Sequence, residues 1–166
     1  MISPKEMFIK EYDSEAELTR KMLSSIPDDK FDWKPHEKSM TLKVLSNHLA
    51  ELGSWLPFIL EHDKQDFEAD PYIPNEASSR KEVLEFFEES FKAGRDSLVK
   101  TSQDRYEDTW KLCHGEMVFM EGPRWETVRH VLNQITHHRA QLGVYLRLLD
   151  VPVPGSYGGS ADDDTF

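Results

Sequence analysis

The chain has 166 residues, with 20 Lys and Arg against 31 Asp and Glu for a formal net charge of −11, and a single cysteine. A field of that sign disfavours phosphate backbones and anionic headgroups, which argues against nucleic acid and membrane surfaces as partners. Cys113 alone excludes an internal disulfide framework and fits a reducing compartment, with the cytoplasm as the default.

A hydrophobic content of 38% over this length predicts one core and one domain, residues 1–166. Charges at Lys5, Glu6, Lys10 and Glu11 interrupt any secretory signal. The longest apolar stretch, WLPFIL at 55–60, contains Pro57 and falls far short of the roughly 20 residues a bilayer crossing needs.

Turn-forming clusters at 26–29 (IPDD), 70–75 (DPYIPN), 121–123 (EGP) and 151–155 (VPVPG) separate four segments of helical composition. The first helix is predicted from Pro4 to Ser25, with Ser3 as its cap and Pro4 in the tolerated first turn; its apolar residues share a face only loosely. The second runs from Thr41 to Glu61, and the third opens at Ser79 and reaches Thr101. RYEDTWKLCHGEMVFMEG (105–122), with Gly115 near its centre, reads as an irregular or short extended link before the fourth helix, Pro123 to Leu149. The small and acidic tail GSYGGSADDDT is expected as a packed or frayed extension. No internal repeat of 20 to 50 residues is present. Four helices without alternating strands predict an all-α four-helix bundle, an architecture that builds cofactor sites from inward-facing side chains.

The inward faces therefore carry the functional reading. In NQITHHRAQ (133–141), a rotation of about 100° per residue puts Val131, Gln134, Ile135, Leu142, Tyr145 and Leu149 on the face of His138, while His137 and Arg139 fall to the flanks. The same spacing surrounds His48 with Val44, Leu45, Leu52, Trp55 and Ile59. Buried imidazoles need partners, and a shared metal ion is one solution. The competing reading is a pair of core histidines bonded to backbone carbonyls, Tyr145, Glu51 or water. Gln134, four residues before His138, has the spacing at which two side chains grip one ion.

His130 is a candidate for the edge of the pocket, with a rim or solvent position the plainer expectation; Glu51, three residues after His48, is a candidate for orienting a ligand or accepting a proton, with a solvated or salt-bridged flank the plainer expectation. His36, His62 and His114 carry no spacing signal. There is no Gly-rich phosphate loop, HExxH, CxxC or G-x-S-x-G turn, and Cys113 has no surroundings that would activate a thiolate.

NQITHHRAQLGVYLRLLDVPVPGSYG (133–158), NHLAEL (47–52) and FDWKPHEKSMTL (31–42) together resemble the DinB/YfiT-like superfamily of bacterial four-helix-bundle proteins, over essentially the whole chain. That resemblance implies a metal held by three histidines, one in the second helix and two at i and i+4 in the fourth. His48 and His138 match the first and last of these, with Arg139 and Gln141 following His138 as in the family's motif; the remaining position is Gln134. An amide oxygen is a weaker donor than imidazole, so Zn²⁺ or Ni²⁺ is expected to be weakly held or absent. The resemblance further implies a homodimer and, for the enzymes among its members, transfer of a low-molecular-weight thiol to a small electrophile. Two functions follow as expectations: a metal-dependent thiol S-transferase or hydrolase with a His-Gln-His site, or a non-catalytic ligand-binding or dimeric interaction module.

Overall fold

The computed structural model describes residues 3–164. Helix α1 (Pro4–Ser24) begins at a capping box: the Ser3 side chain accepts from the Glu6 amide, and the Glu6 carboxylate accepts from the Ser3 amide. Helices α2 (Leu42–Glu51) and α3 (Trp55–Glu61) follow, then strand β1 (Lys64–Asp66) and helix α4 (Arg80–Lys100), capped by Ser79. Strands β2 (Thr109–His114) and β3 (Met117–Pro123) lead directly into helix α5 (Arg124–Leu148).

The segment expected as one helix from Thr41 to Glu61 is broken by a tight turn at Leu52–Ser54. Two features cause the break. Gly53 lies so close to α1 and α4 that a Cβ there would sit 2.4 Å from the Tyr12 hydroxyl and 2.8 Å from the Ser90 carbonyl oxygen. Pro57 has no N–H to continue a helix, but in the first turn of α3 none is required.

The all-α expectation is corrected by a three-stranded sheet in the order β1-β2-β3. β2 and β3 form an antiparallel hairpin whose two-residue loop places Gly115 at φ 56°, a conformation that favours glycine. The register slips at Leu112/Cys113, leaving Phe119 as the unpaired bulge residue. β1 lies parallel to β2, and Asp66 ties it to the hairpin turn by accepting from the Gly115 amide at 3.0 Å. The link expected over 105–122 as irregular or short extended is thus the hairpin, whose β3 exposes Met117, Val118 and Phe119.

Helices α1, α2–α3, α4 and α5 pack around one core in which Leu23, Leu42, Leu45, Leu52, Leu56 and Val131 are fully or almost fully buried. Each such aliphatic side chain contributes about 1.5–3 kcal/mol relative to exposure. The inward stripe of α2 is shifted from the expected one, since Val44 is 50% exposed and Leu42, Leu45 and Leu49 form the buried line. His48 consequently stands at the edge of the core, not in its middle. Arg139, expected on a flank, is 2% exposed: its long side chain reaches Glu15 of α1, with Nη1 2.5 Å from Oε2. The tail packs back through the Tyr157 hydroxyl, which donates to Glu15 Oε1, and through an Arg147–Asp162 ion pair.

Candidate functional site

His48, in the last turn of α2, and His138, in the second half of α5, come together with ring centroids 4.6 Å apart and planes at 80°. Each ring is oriented through Nδ1. His48 Nδ1 lies 2.6 Å from Glu51 Oε1, and His138 Nδ1 lies 2.8 Å from Gln141 Oε1. Both partner atoms only accept, so both Nδ1 atoms carry a proton, and in the neutral ring Nε2 then carries the lone pair. This is the tautomer of a metal-ligating histidine, with the orienting group on the far side of the ring. His138 has its pKa lowered, first by burial and also by the neighbouring His48 and His137, against the Gln141 hydrogen bond; the shift favours the neutral form.

Gln134 lies one turn before His138, with its Nε2 directed 3.2 Å from His130 Nε2. An amide nitrogen only donates, so His130 Nε2 is the acceptor of that bond. Gln134 Oε1, the one atom of this side chain able to hold a metal, takes no part in it. Among the described residues no group of three or more His, Cys, Asp or Glu is placed to hold a metal ion. Were His48, Gln134 and His138 to hold an ion together, the set would be two imidazoles and one neutral amide oxygen, a weak set by its chemistry. Tyr145 is engaged elsewhere: its hydroxyl donates to the Met40 carbonyl oxygen at 3.1 Å, and its ring meets Trp33 edge-on.

Glu51 is 4% exposed, so of the solvated or salt-bridged flank position expected of it the structure keeps the pairing, with His48, and not the solvation. Its Oε1 accepts from both His48 Nδ1 and the Tyr72 hydroxyl, the latter at 2.5 Å. Burial, together with the bond to Glu51, raises the pKa of Tyr72 and keeps it a donor. Tyr72 belongs to the strap between β1 and α4, and nothing in the helical spacing points to it. The strap is fastened further along by Asn47, which accepts from Asn75 Nδ2 and the Ala77 amide and donates to the Ala77 carbonyl oxygen.

Strap, hairpin, α2–α3 and α5 enclose a cavity of about 680 Å³, within the roughly 300–1,000 Å³ usual for small-molecule sites. His48, Glu51 and His130 line it; His138 and Gln134 lie behind, each touching a residue that does. Its remaining walls are mostly aromatic and aliphatic, with Trp55, Phe67, Phe86 and Trp110 among them. The sequence offers the two histidines through their spacing. It offers no signal for the strap or the hairpin walls.

The model of the DinB family matches residues 1–165. The chain belongs to the DinB family. Among similar proteins, the uncharacterised YrdA of Bacillus subtilis is 22% identical over 98% of this chain and 93% of its own length. The crystal structure of a DinB-like protein from Bacillus cereus superimposes with a TM-score of 0.69 at 22% identity, covering 90% of this chain and 95% of that one. A mycothiol-dependent maleylpyruvate isomerase shares the fold at a TM-score of 0.61 and 15% identity, over 86% of this chain and 64% of the isomerase. These likenesses establish the DinB fold. No helix among the described residues is long and apolar enough to cross a membrane.

Proposed function

We propose that this DinB-family protein binds a divalent ion, Zn²⁺ or Ni²⁺, through His48 Nε2, His138 Nε2 and Gln134 Oε1, and acts on a small molecule in the adjoining cavity as a thiol S-transferase or hydrolase. The observation that carries this reading is the matched commitment of both Nδ1 atoms to acceptors on two rings whose centroids lie 4.6 Å apart, which in the neutral rings leaves both Nε2 atoms free to ligate.

A bound ion supplies Lewis acidity at the inner wall of the cavity. The protein's own groups do the rest. Glu51 and Gln141 hold the imidazoles in one tautomer, and Tyr72 fixes Glu51 from the strap. Both bonds to Glu51 fall on Oε1, so Oε2 remains as an acceptor for a proton from a thiol or water at the cavity's inner end. The apolar walls exclude solvent and strengthen each of these polar interactions.

A second reading follows from Gln134 pointing at His130: a ligand-binding module of the same fold that no longer holds metal tightly. Elemental analysis of protein purified without chelator or nickel resin, followed by Zn²⁺ and Ni²⁺ titration, separates the two. About one ion per chain supports the metal-dependent reading, and no uptake at micromolar metal leaves only the binding module.

A further inference from the structure

The cavity has a pronounced imbalance of hydrogen-bonding character. Its walls include the carboxylates of Glu51 and Asp70 and, among the described residues, no lysine or arginine. Its side-chain donors are largely spent on the protein. Ser54 Oγ donates to the Glu51 carbonyl oxygen, Gln65 Nε2 to Asp70, Asn75 Nδ2 to Asn47, Trp110 Nε1 to the Phe58 carbonyl oxygen, and the Tyr72 hydroxyl to Glu51. His130 turns Nε2 toward Gln134. What remains open is acceptor capacity at Glu51, the Nδ1 donor of His130, and the π faces of Trp55, Phe58, Phe67, Phe86 and Trp110.

With no metal bound, an anion entering such a space would lose its water, find no lysine or arginine and face Glu51. A protonated amine would gain both a carboxylate and aromatic faces that attract cations. Resting on the reading that this cavity is the substrate site, we propose that its ligand is an aromatic molecule bearing a protonated amine. The amine is bound at Glu51 and the ring lies against the aromatic walls. Carboxylate- or phosphate-bearing analogues are rejected.

The test uses three probes of matched shape, naphthyl-ethylamine, naphthyl-ethanol and naphthyl-propionate, titrated calorimetrically into the full chain after chelator treatment. The amine should bind at least about tenfold tighter than the acid, with the alcohol between them. Glu51→Gln should bring amine and alcohol to within about threefold of each other. Should that variant fail to fold, Gln65→Lys, which adds an ammonium to the wall, should strengthen the acid and weaken the amine.

Acid binding equal to or tighter than amine binding overturns the proposal. So does an amine advantage unchanged in the substituted cavity, or no binding of any probe at millimolar concentration. Zn²⁺ titration stands apart: failure to take up zinc removes the metal reading and leaves the amine preference intact. Zinc uptake with the acid preferred in the chelated protein does the reverse.

Discussion

Glu15 and Glu51 are buried to almost the same degree, 5% and 4% exposed, yet their partners are of different kinds. Glu15 meets the Arg139 guanidinium, itself 2% exposed and resting 5.2 Å over the Tyr157 ring. Its other oxygen accepts from the Tyr157 hydroxyl. Glu51 has no arginine or lysine. It meets His48 and Tyr72, both on the wall of a cavity, and both on one oxygen. The contrast is the more pointed because Arg139 and His138 are neighbours on α5. One carries the structural charge pair and the other the candidate site. A buried carboxylate with a permanent cation belongs to the framework; one without it is available to something that enters.

The strongest way to break this distinction is to remove the arginine. Arg139→Met leaves Glu15 buried without its cation and should cost about 3–5 kcal/mol of stability in urea denaturation. His48→Gln, which removes one of the two donors to Glu51, should cost only about 1 kcal/mol. If the two variants lose equal stability, Glu15 and Glu51 do not differ in role.

A second substitution sharpens the site half of the comparison. Gln134→His replaces the weakest donor beside His138 and should raise zinc affinity at least about tenfold, about 1.4 kcal/mol, by competition with a chromophoric chelator. An unchanged affinity would mean that position 134 keeps its side chain turned to position 130 and never reaches the ion.

The parts of this molecule visible from sequence are those governed by local spacing. Ser3 and Ser79 mark helix starts because their hydroxyls serve amides three residues on, and His48 and His138 lie on apolar faces that had to meet. Tyr72 reaches Glu51 across a non-periodic strap, so no spacing rule connects them. Arg139 escaped the helical count because the count locates a Cβ, while the charge sits several bonds away and reaches α1 from the flank. The direction of Gln134 is a rotamer choice, settled by His130 and not by the four-residue spacing. The hairpin was legible only in part: residues 105–122 read as an irregular or short extended link around Gly115, but β3 exposes Met117, Val118 and Phe119 in succession and so lacks the alternation of a half-buried strand.

Tyr72→Phe tests whether the strap serves the site. It removes one hydrogen bond to a buried carboxylate and should cost about 1 kcal/mol, together with faster proteolytic cleavage between residues 67 and 75. Unaltered cleavage would show that Asn47 alone secures the strap and that Glu51 is held without it.

Asp66 supplies a third kind of carboxylate and the smallest expected effect. Its oxygens accept from the Gly115 and Glu68 amides and from Lys64, and the first of these contributes most to holding its pKa far below the ordinary value of 3.8. The charged form is the one the fold favours, so its contribution is present above about pH 4 and fades as pH falls below the ordinary aspartate value toward the depressed one. Asp66→Asn should therefore flatten the acid limb of a pH–stability curve without shifting stability between pH 6 and 8 by more than the loss of the Lys64 pair, which is solvent-exposed and weak. An acid limb of unchanged slope would mean that the hairpin turn is pinned by Gly115's conformation alone.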